Sequence, residues 1–282
     1  MFERFSRSWQ LVKASGSVLM QDKELLLFPL ISSIAAFIVL MCFALPLFGF
    51  AALDGLSRGH VGGLGLYVVG FLFYLTQYFV IFFFNAALVG AAMIRLDGGN
   101  PTLGDGLSIA MSKWQNILGY AAIAATVGLL LRAVQRRSGT ITKFVAGLIG
   151  MGWTLATFLV VPVLVARDVG PVTAVKDSAT MLKQTWGENA IGQVGIGAVF
   201  SIIHFLLVIF AAAIIIVAMM LKSGAALVTA IVLVVVMFIL VALVQTALSA
   251  IYAAALYRYA DGKQQSSGFD TTTLANAFVP GR

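Results

Sequence analysis

Residues 225–257 read AALVTAIVLVVVMFILVALVQTALSAIYAAALY, 33 positions without a charged side chain. A helix of about 20 apolar residues is enough to cross the ~30 Å hydrocarbon core of a bilayer. Five more apolar runs, each bounded by charged residues, lie at 25–53, 64–94, 117–131, 144–166 and 191–221. The sequence therefore predicts an all-α, polytopic membrane bundle of about six transmembrane helices arranged as three hairpins.

The composition agrees with a membrane environment. Of 282 residues, 61% are hydrophobic and 10% are charged, whereas soluble domains have roughly 45–50% and 25%. The first long apolar run follows several charged residues, so we expect no cleaved signal peptide. Cys42 is the only cysteine, which excludes an intrachain disulfide and a cysteine-rich metal site.

The run lengths and the prolines predict irregular spans. Run 117–131 is short for a full crossing, whereas 64–94, 191–221 and 225–257 exceed the minimum and predict tilting or extension beyond the bilayer. Pro29, Pro46 and Pro162 are the expected bending points, because proline lacks a backbone donor.

The segments before the hairpins predict amphipathic helices lying on the membrane surface. Residues 2–23 place an apolar set at helical spacing opposite charged residues. The apolar set is Phe2, Phe5, Trp9, Val12, Gly16 and Leu19, opposite Arg4, Arg7, Lys13 and Asp22. Segments 101–119 and 171–192 share a proline start, a Met, a Lys, a Trp and an Asn-x-x-Gly entrance to the next run.

The even-numbered runs end alike, in Arg95-Leu-Asp97-Gly98, Arg167-Asp168-Val-Gly170 and Arg258-Tyr-Ala-Asp261-Gly262. These likenesses predict a single transmembrane domain, 1–262, made of three repeats at 1–98, 99–170 and 171–262, followed by a flexible polar tail, 263–282. The alternative is that membrane helices commonly end in arginine and glycine, since arginine reaches head groups and glycine terminates helices.

Basic residues predict the orientation. With a cytoplasmic amino terminus, the loops on that side hold 12 of the 18 Lys and Arg residues, so the positive-inside rule favours both termini in the cytoplasm. Arg132, Arg136, Arg137 and Lys143 are exceptions, because they lie close together in a loop that this orientation places outside the cytoplasm. The net charge of +7 lies in short loops beside apolar runs, which favours anionic phospholipids over nucleic acid as partners.

Polar residues inside the runs are candidate sites. Asn85, His204 and Gln245 lie within apolar runs, where they serve either as a functional site or as interhelical hydrogen-bonding contacts. Candidate lipid head-group contacts are Arg95, Arg132, Arg136, Arg137, Arg167 and Arg258. Candidate interfacial anchors are Trp9, Trp114 and Trp186.

The aromatic residues of the second run have two interpretations. Phe71, Phe73, Tyr74, Tyr78, Phe79, Phe82, Phe83 and Phe84 cover most of its faces. Lipid contact and core packing are the usual role of such side chains. The alternative is an apolar groove for acyl chains.

The chemistry of soluble enzymes is scarce. The two histidines lack metal-ligand partners at helical spacing, and no phosphate-binding loop or nucleophile elbow is present. We therefore expect no cofactor, no metal and no catalytic residue. A lipid-modifying enzyme would need acids near the membrane surface to converge, and the acids available are Asp97, Asp105, Asp168, Asp177 and Glu188.

The opening from Trp9 and Val18 to Pro29, with the Arg-Asp-x-Gly exits, resembles an uncharacterised family of bacterial polytopic membrane proteins. That family is remotely similar to the membrane domain beside some glycerophosphodiester phosphodiesterases. The resemblance implies a bacterial inner membrane location and transfers no active-site residue.

The sequence leaves three functions open. The first is a non-enzymatic organiser of lipids or membrane partners. The second is a channel or transporter for an apolar or amphiphilic solute, which convergence of Asn85, His204 and Gln245 on one cavity would favour. The third is a membrane-embedded lipid-modifying enzyme. Small-residue faces also permit a homo-oligomer or a membrane-protein partner.

Overall fold

A computed structural model describes residues 2–57, 64–137, 140–186 and 195–262, together with Phe269 and Leu274. Its helices are α1 Phe2–Gln21, a 3-10 turn Lys23–Leu26, α2 Leu27–Ser57, α3 Leu64–Leu96, α4 Leu103–Ser112, α5 Trp114–Arg137, α6 Thr140–Ala156, α7 Val160–Ala166, α8 Pro171–Trp186, α9 Gly195–Met220 and α10 Gly224–Ala260.

Six stretches are long and apolar enough to cross a membrane, which confirms the predicted six spans. They are Lys23–Pro46, Val68–Leu96, Trp114–Gln135, Val145–Ala166, Val199–Met220 and Gly224–Ala260. In chain order, α1, α4 and α8 each precede one pair of spans. The predicted threefold repeat stays a prediction.

The third span is longer than its apolar run suggested. Helix α5 continues past the run at both ends and has 24 residues, a length of about 36 Å. The polar ends, with Trp114 at one and Arg132 near the other, continue the helix without a break. The basic residues after Leu131 therefore lie at the end of α5 opposite Trp114.

The fourth span is broken, as Pro162 predicted. Helix α6 ends at Ala156 and α7 begins at Val160, because proline cannot donate a hydrogen bond to the preceding turn. The buried Ser178 hydroxyl of α8 accepts a hydrogen bond from the Leu159 backbone N–H at 3.0 Å. Pro46, in contrast, lies within the continuous helix α2.

Helices α3 and α10 have two zones. With 33 and 37 residues, they measure about 50 and 55 Å, well beyond the ~30 Å hydrocarbon core. Residues 224–246 of α10 are mostly exposed and apolar, whereas 250–258 are all buried, as are 86–92 of α3. Helices α1, α4, α7 and α8 pack around these buried ends. We call these four helices, with residues 86–96 and 247–260, the collar.

Glycine allows α4 to cross α3 closely. A Cβ atom on Gly106 would lie 2.6 Å from the carbonyl oxygen of Ala87 and 2.5 Å from Cζ of Phe28. One on Gly90 would lie 2.9 Å from Ile109. The small residues Ala87 and Gly90 of α3 therefore lie in a helix crossing.

Helix α1 is present as predicted, but its packed side differs. It contacts α9 and α10 and buries Leu11, Ser15 and Val18, which lie outside the predicted apolar set. Asp22, predicted on the polar side, is also buried. The predicted apolar side is split, because Trp9 is exposed and Leu19 is buried.

Two of the long helices are followed by a glycine with a positive φ angle. Gly98 and Gly262 have φ values of +88° and +83°, so glycine ends α3 and α10 in a conformation that other residues rarely adopt. Phe269 and Leu274, in the segment predicted as a flexible tail, are buried with the core. The other positions of that tail after Gly262 lie outside the described residues.

Candidate functional site

A cavity of about 440 Å³ lies between α2, α3, α5, α10 and the broken fourth span. Its polar lining comes from Ser32, Asn85, Tyr120, Thr154, Thr157, Gln245, Thr246 and Ser249. Its apolar lining includes Phe28, Phe82, Phe84, Leu88, Phe158 and Pro162. None of the described residues that line it carries a charge. The cavity can therefore accept an uncharged molecule with a few hydrogen-bonding groups.

The threonine hydroxyls of the cavity are already engaged. Thr154 donates to the Gly150 carbonyl at 2.9 Å, and Thr246 donates to the Ala242 carbonyl at 2.8 Å. In contrast, the amides of Asn85 and Gln245 make no hydrogen bond to any described residue. Two residues from distant parts of the sequence thus line one space, and neither amide has a hydrogen-bond partner among the described residues.

The cavity lies where the collar meets the more exposed part of α10. Asn85 precedes the last residue of α3, Leu96, by 11 positions, and Gln245 precedes Arg258 by 13, which correspond to about 16 and 20 Å of helix. Asn85 directly precedes the buried residues 86–92 of α3, and Gln245 lies five positions before the buried residues 250–258 of α10. The cavity therefore marks the boundary between the two zones of these helices.

Part of the cavity lining lies at the surface of the bundle. Ile81, Thr154 and Thr246 line it and are also exposed. The break in the fourth span forms part of its wall through Thr157 and Pro162. Irregular backbone at membrane depth is tolerated where it is buried in protein or lines a cavity.

His204 does not reach the cavity, unlike the other two predicted intramembrane residues. Its Nδ1 lies 2.7 Å from the carbonyl oxygen of Phe200 in the same helix, α9. Its ring lies 6.3 Å from that of Phe238 on α10. Its polar group is therefore satisfied locally, because a helix brings residues i and i−4 together.

Sequence reasoning missed several lining residues. Tyr120, Thr154 and Thr157 lie within runs interpreted as plain spans, and Tyr120 packs on Phe82 with ring centroids 4.6 Å apart. Thr154 and Thr157 are three residues apart, and this spacing places them on one helix face. That spacing was the available signal, although threonine in a span often only bonds its own backbone.

Ion pairs connect the segments at which the even-numbered spans end. Arg258 pairs with Asp97. Arg167 pairs with Asp261 at 2.7 Å and with Asp177 at 3.1 Å. Hydrogen bonds to Asp261 and to the Tyr257 hydroxyl raise the pKa of Arg167 above its already high value. The exits thus bind to one another across the collar.

Several of the arginines predicted to contact lipid head groups have partners within the protein. Arg258 has a side chain only 6% exposed, so it is enclosed within the collar. Arg167 is held by two acids, and Arg95 donates to the Gly99 carbonyl at 3.1 Å. Arg132 is exposed, lies over the Tyr74 ring and donates to its hydroxyl. The side chains of Arg136 and Arg137 lie outside the described residues.

Two of the predicted anchors are exposed. Trp9 and Trp114 present about two fifths of their surface, and the Lys13 ammonium lies 5.9 Å from the centre of the Trp9 ring. The side chain of Trp186 is not among those described. Exposed indoles of this kind suit the membrane interface.

The acids considered for an enzyme are each held separately. Asp97, Asp168 and Asp177 pair with Arg258, Lys113 and Arg167 respectively. Asp105 caps α4, and Glu188 lies outside the described residues. Within the described part of the chain, no group of three or more His, Cys, Asp or Glu residues is placed to hold a metal ion.

Comparison with known proteins identifies a family and not an activity. No curated protein matches this chain. The model of a family of unknown function, DUF6159, matches residues 64–269. This match leaves out the opening segment, from Trp9 to Pro29, on which the resemblance noted from the sequence partly rested. Since the match covers well over half of its length, the chain belongs to the DUF6159 family of unknown function.

Proposed function

We propose that this chain is a non-enzymatic membrane protein that binds a lipid-like amphiphile in the cavity between α3, α10 and the broken fourth span. One observation carries this proposal, namely the convergence of Asn85 and Gln245 on a space where neither amide has a partner among the described residues. A polar group in apolar surroundings costs free energy when it makes no hydrogen bond. A ligand with a carbonyl or hydroxyl group would remove that cost.

The lining defines the class of ligand. Amides both donate and accept hydrogen bonds, so they suit an ester carbonyl or a hydroxyl group. The described lining has no charged side chain to pair with a phosphate. The aromatic walls suit hydrocarbon, and the volume lies within the range of small-molecule pockets. We therefore infer that the bound part of the molecule is neutral and mostly apolar.

The position of the cavity suits the ester region of a bilayer. We propose that the membrane boundary on the collar side lies near Trp114, since indole prefers the interface. The apolar surface of α10 up to Val244 would then contact lipid, and the collar would project from the membrane. The cavity lies between these zones, at the depth where a glycerolipid places its carbonyl groups.

The test compares full-length protein with the variant Asn85→Leu/Gln245→Leu. Both proteins are extracted with native lipid and incubated with 1-monooleoylglycerol, and bound lipid is counted by native mass spectrometry. We expect the wild type to retain the monoacylglycerol and the variant to lose it. Gln135→Leu is the matched control, because it removes an exposed amide at the far end of α5 and should leave binding unchanged.

Equal retention by the wild type and the double variant would overturn the proposal, as would no retention by either. Circular dichroism and the melting temperature show that the variant folds. Leucine at these positions is compatible with the apolar surroundings, so folding is expected to persist.

A carrier for the same class of molecule is the second candidate. The break between α6 and α7 at the cavity favours it, because discontinuous helices commonly line the substrate sites of transporters. Proteoliposomes containing a fluorescent monoacylglycerol would distinguish the two. Faster transfer between leaflets with the wild type than with Asn85→Leu/Gln245→Leu would support carriage, and equal rates would support static binding.

We also propose a bacterial inner membrane location with the collar and both termini in the cytoplasm. The support is the distribution of basic residues, 12 of 18 on that side, and the positive-inside rule. The exposed Arg132 and its basic neighbours would then meet anionic phospholipids on the opposite face. A reporter fused to each terminus, active only in the cytoplasm, tests the orientation, and an inactive reporter at either end would contradict it.

A further inference from the structure

Two serine side chains of the cavity, like its two amides, have no hydrogen-bond partner among the described residues. Ser32 of α2 and Ser249 of α10 both line the cavity, and both are half-buried. Neither hydroxyl bonds to a residue that the structure describes. The cavity therefore has four polar side chains, from three helices, that a ligand can bond without displacing a described partner.

Neighbouring hydroxyl groups on the same helices are already bonded. A serine or threonine in a helix often donates to the carbonyl oxygen three or four residues earlier. Ser33 does so with Pro29 at 2.7 Å. Thr246, which also lines the cavity, does so with Ala242 at 2.8 Å. The two unpartnered serines form no such bond within the described chain, so their hydroxyl groups are available to a ligand.

The four available groups come from different walls of the cavity. Gln245 and Ser249 are four residues apart, about 6 Å along α10, and both line the cavity. Asn85 lines it from α3 and Ser32 from α2. A ligand in the cavity thus has hydrogen-bonding groups of three helices around it.

The number and the type of these groups indicate a ligand with several hydrogen-bonding groups of its own. Amides and hydroxyls both donate and accept hydrogen bonds, whereas an ester only accepts them. Polar groups that stay unpaired in the complex reduce the affinity. A glycerol unit with one ester and two free hydroxyl groups both donates and accepts, and it is uncharged like the described lining.

We propose that the cavity recognises the glycerol head group of a monoacylglycerol, and that Ser32 and Ser249 select this head group over esters without free hydroxyl groups. This inference rests on the proposed function and adds to it the class of ligand and two residues that determine specificity. A site built to bond a hydroxyl group discriminates against the analogue that lacks it.

The experiment compares two ligands with the same acyl chain. 1-Monooleoylglycerol has two free hydroxyl groups, and methyl oleate has only the ester. Their affinities for the full-length protein in detergent are measured by native mass spectrometry over a series of ligand concentrations.

The two variants differ in whether the removed hydroxyl groups are available. Ser32→Ala/Ser249→Ala removes the two unpartnered hydroxyl groups. Ser33→Ala/Thr246→Val is the matched control, because it removes one hydroxyl from each of the same helices, and both of these donate to a carbonyl of their own helix. Circular dichroism and the melting temperature show that each variant folds.

We expect the wild type to bind monooleoylglycerol about tenfold more tightly than methyl oleate, which corresponds to about one or two hydrogen bonds. Ser32→Ala/Ser249→Ala should weaken monooleoylglycerol binding to within about threefold of methyl oleate, and it should leave methyl oleate binding unchanged. The control variant should keep the preference of the wild type.

Equal affinities of the wild type for the two ligands would overturn the inference. So would an unchanged preference in Ser32→Ala/Ser249→Ala, or an equal loss of preference in the control variant. Equal weakening of both ligands by Ser32→Ala/Ser249→Ala would also overturn it, because the serines would then not read the hydroxyl groups.

Failure of this inference is distinguishable from failure of the proposed function. If the wild type binds both ligands equally and Asn85→Leu/Gln245→Leu binds neither, the proposed function stands and the recognition of glycerol is overturned. If the wild type binds neither ligand, the proposed function fails, and the inference fails with it.

Discussion

Arg258, in the last turn of α10, forms an ion pair with Asp97, which follows the end of α3. Arg258 also donates a hydrogen bond to the Met93 carbonyl at 3.4 Å. Arg167, after α7, stands in the same relation to Asp261, after α10. The arginine of one exit thus binds the acid of another, and the ion pairs join the ends of the three even-numbered spans.

Asp97→Asn should destabilise the protein by about 1–3 kcal/mol, because it removes the carboxylate that pairs with the buried Arg258. The Arg258 side chain is 6% exposed and that of Asp97 is 55% exposed, so the cost falls short of that for a fully buried pair. Thermal unfolding of the purified protein in detergent measures the change.

Asp168→Asn is the matched control for that prediction. Asp168 comes from the equivalent exit and pairs with Lys113 at 2.9 Å, but its side chain is 92% exposed. Exposed pairs contribute about 0–1 kcal/mol. Equal losses of stability in the two variants would contradict the structural role given to Arg258.

Gly106→Ala should destabilise the crossing of α3 and α4 by about 1–3 kcal/mol, as overpacking does. The new Cβ would meet a backbone oxygen, that of Ala87, at 2.6 Å, and backbone cannot move aside as a side chain can. Gly104→Ala, in the same helix, would meet Thr102 Oγ1 at 3.7 Å and should be neutral or slightly stabilising. The two melting temperatures decide, and equal values would count against this packing.

Ser178→Ala should cost about 1–3 kcal/mol, because the buried Leu159 N–H would lose its acceptor at the break of the fourth span. Chemical denaturation measures the loss. Ser112→Ala removes an exposed hydroxyl that bonds only the Ile109 carbonyl of its own helix, and it should stay within about 0.5 kcal/mol of the wild type. A neutral Ser178→Ala would show that the break does not depend on this hydrogen bond.

Asp105 should make stability depend on pH in the acid range. Hydrogen bonds from the Thr102 hydroxyl and backbone N–H, at 2.7 and 2.9 Å, lower the pKa of Asp105 below its usual 3.8. The unfolded chain therefore takes up this proton first as the pH falls. The contribution is complete above about pH 4 and is lost as the pH falls through the lowered pKa.

The measurement for Asp105 is the difference in melting temperature between the wild type and Asp105→Asn across that range. The wild type should be the more stable near neutral pH, and the difference should shrink on acidification. A difference that does not vary with pH would contradict the capping role of the carboxylate.

The sequence by itself determined the class of the protein and its six spans. Long runs without charge, such as 225–257, cannot be placed in water or in an ordinary soluble core. They therefore identify a membrane protein without any knowledge of its tertiary contacts. Pro162 likewise marked a place for the fourth span to bend, but Pro46 lies within the continuous helix α2, so a missing backbone donor does not by itself determine a break.

Only the tertiary structure decided which polar residues meet. Asn85 and Gln245 lie 160 positions apart in sequence, and only the packing of α3 against α10 brings them to one cavity. His204 looks equivalent in the sequence, yet its partner is the Phe200 carbonyl of its own helix. Composition and helical spacing describe the helix to which a residue belongs. They do not identify the residue that it faces on another helix.

The arginines also show that the sequence alone does not identify the partner of a residue. Arg258 and Arg132 both end apolar runs, and local sequence offers them the same role at lipid head groups. In the structure Arg258 is enclosed by the collar and paired with Asp97, whereas Arg132 stays exposed beside Tyr74. The physical reason is helix length, since α10 continues well beyond the ~30 Å of hydrocarbon and carries its final arginine into a protein interior, and interhelical packing there determines its partner.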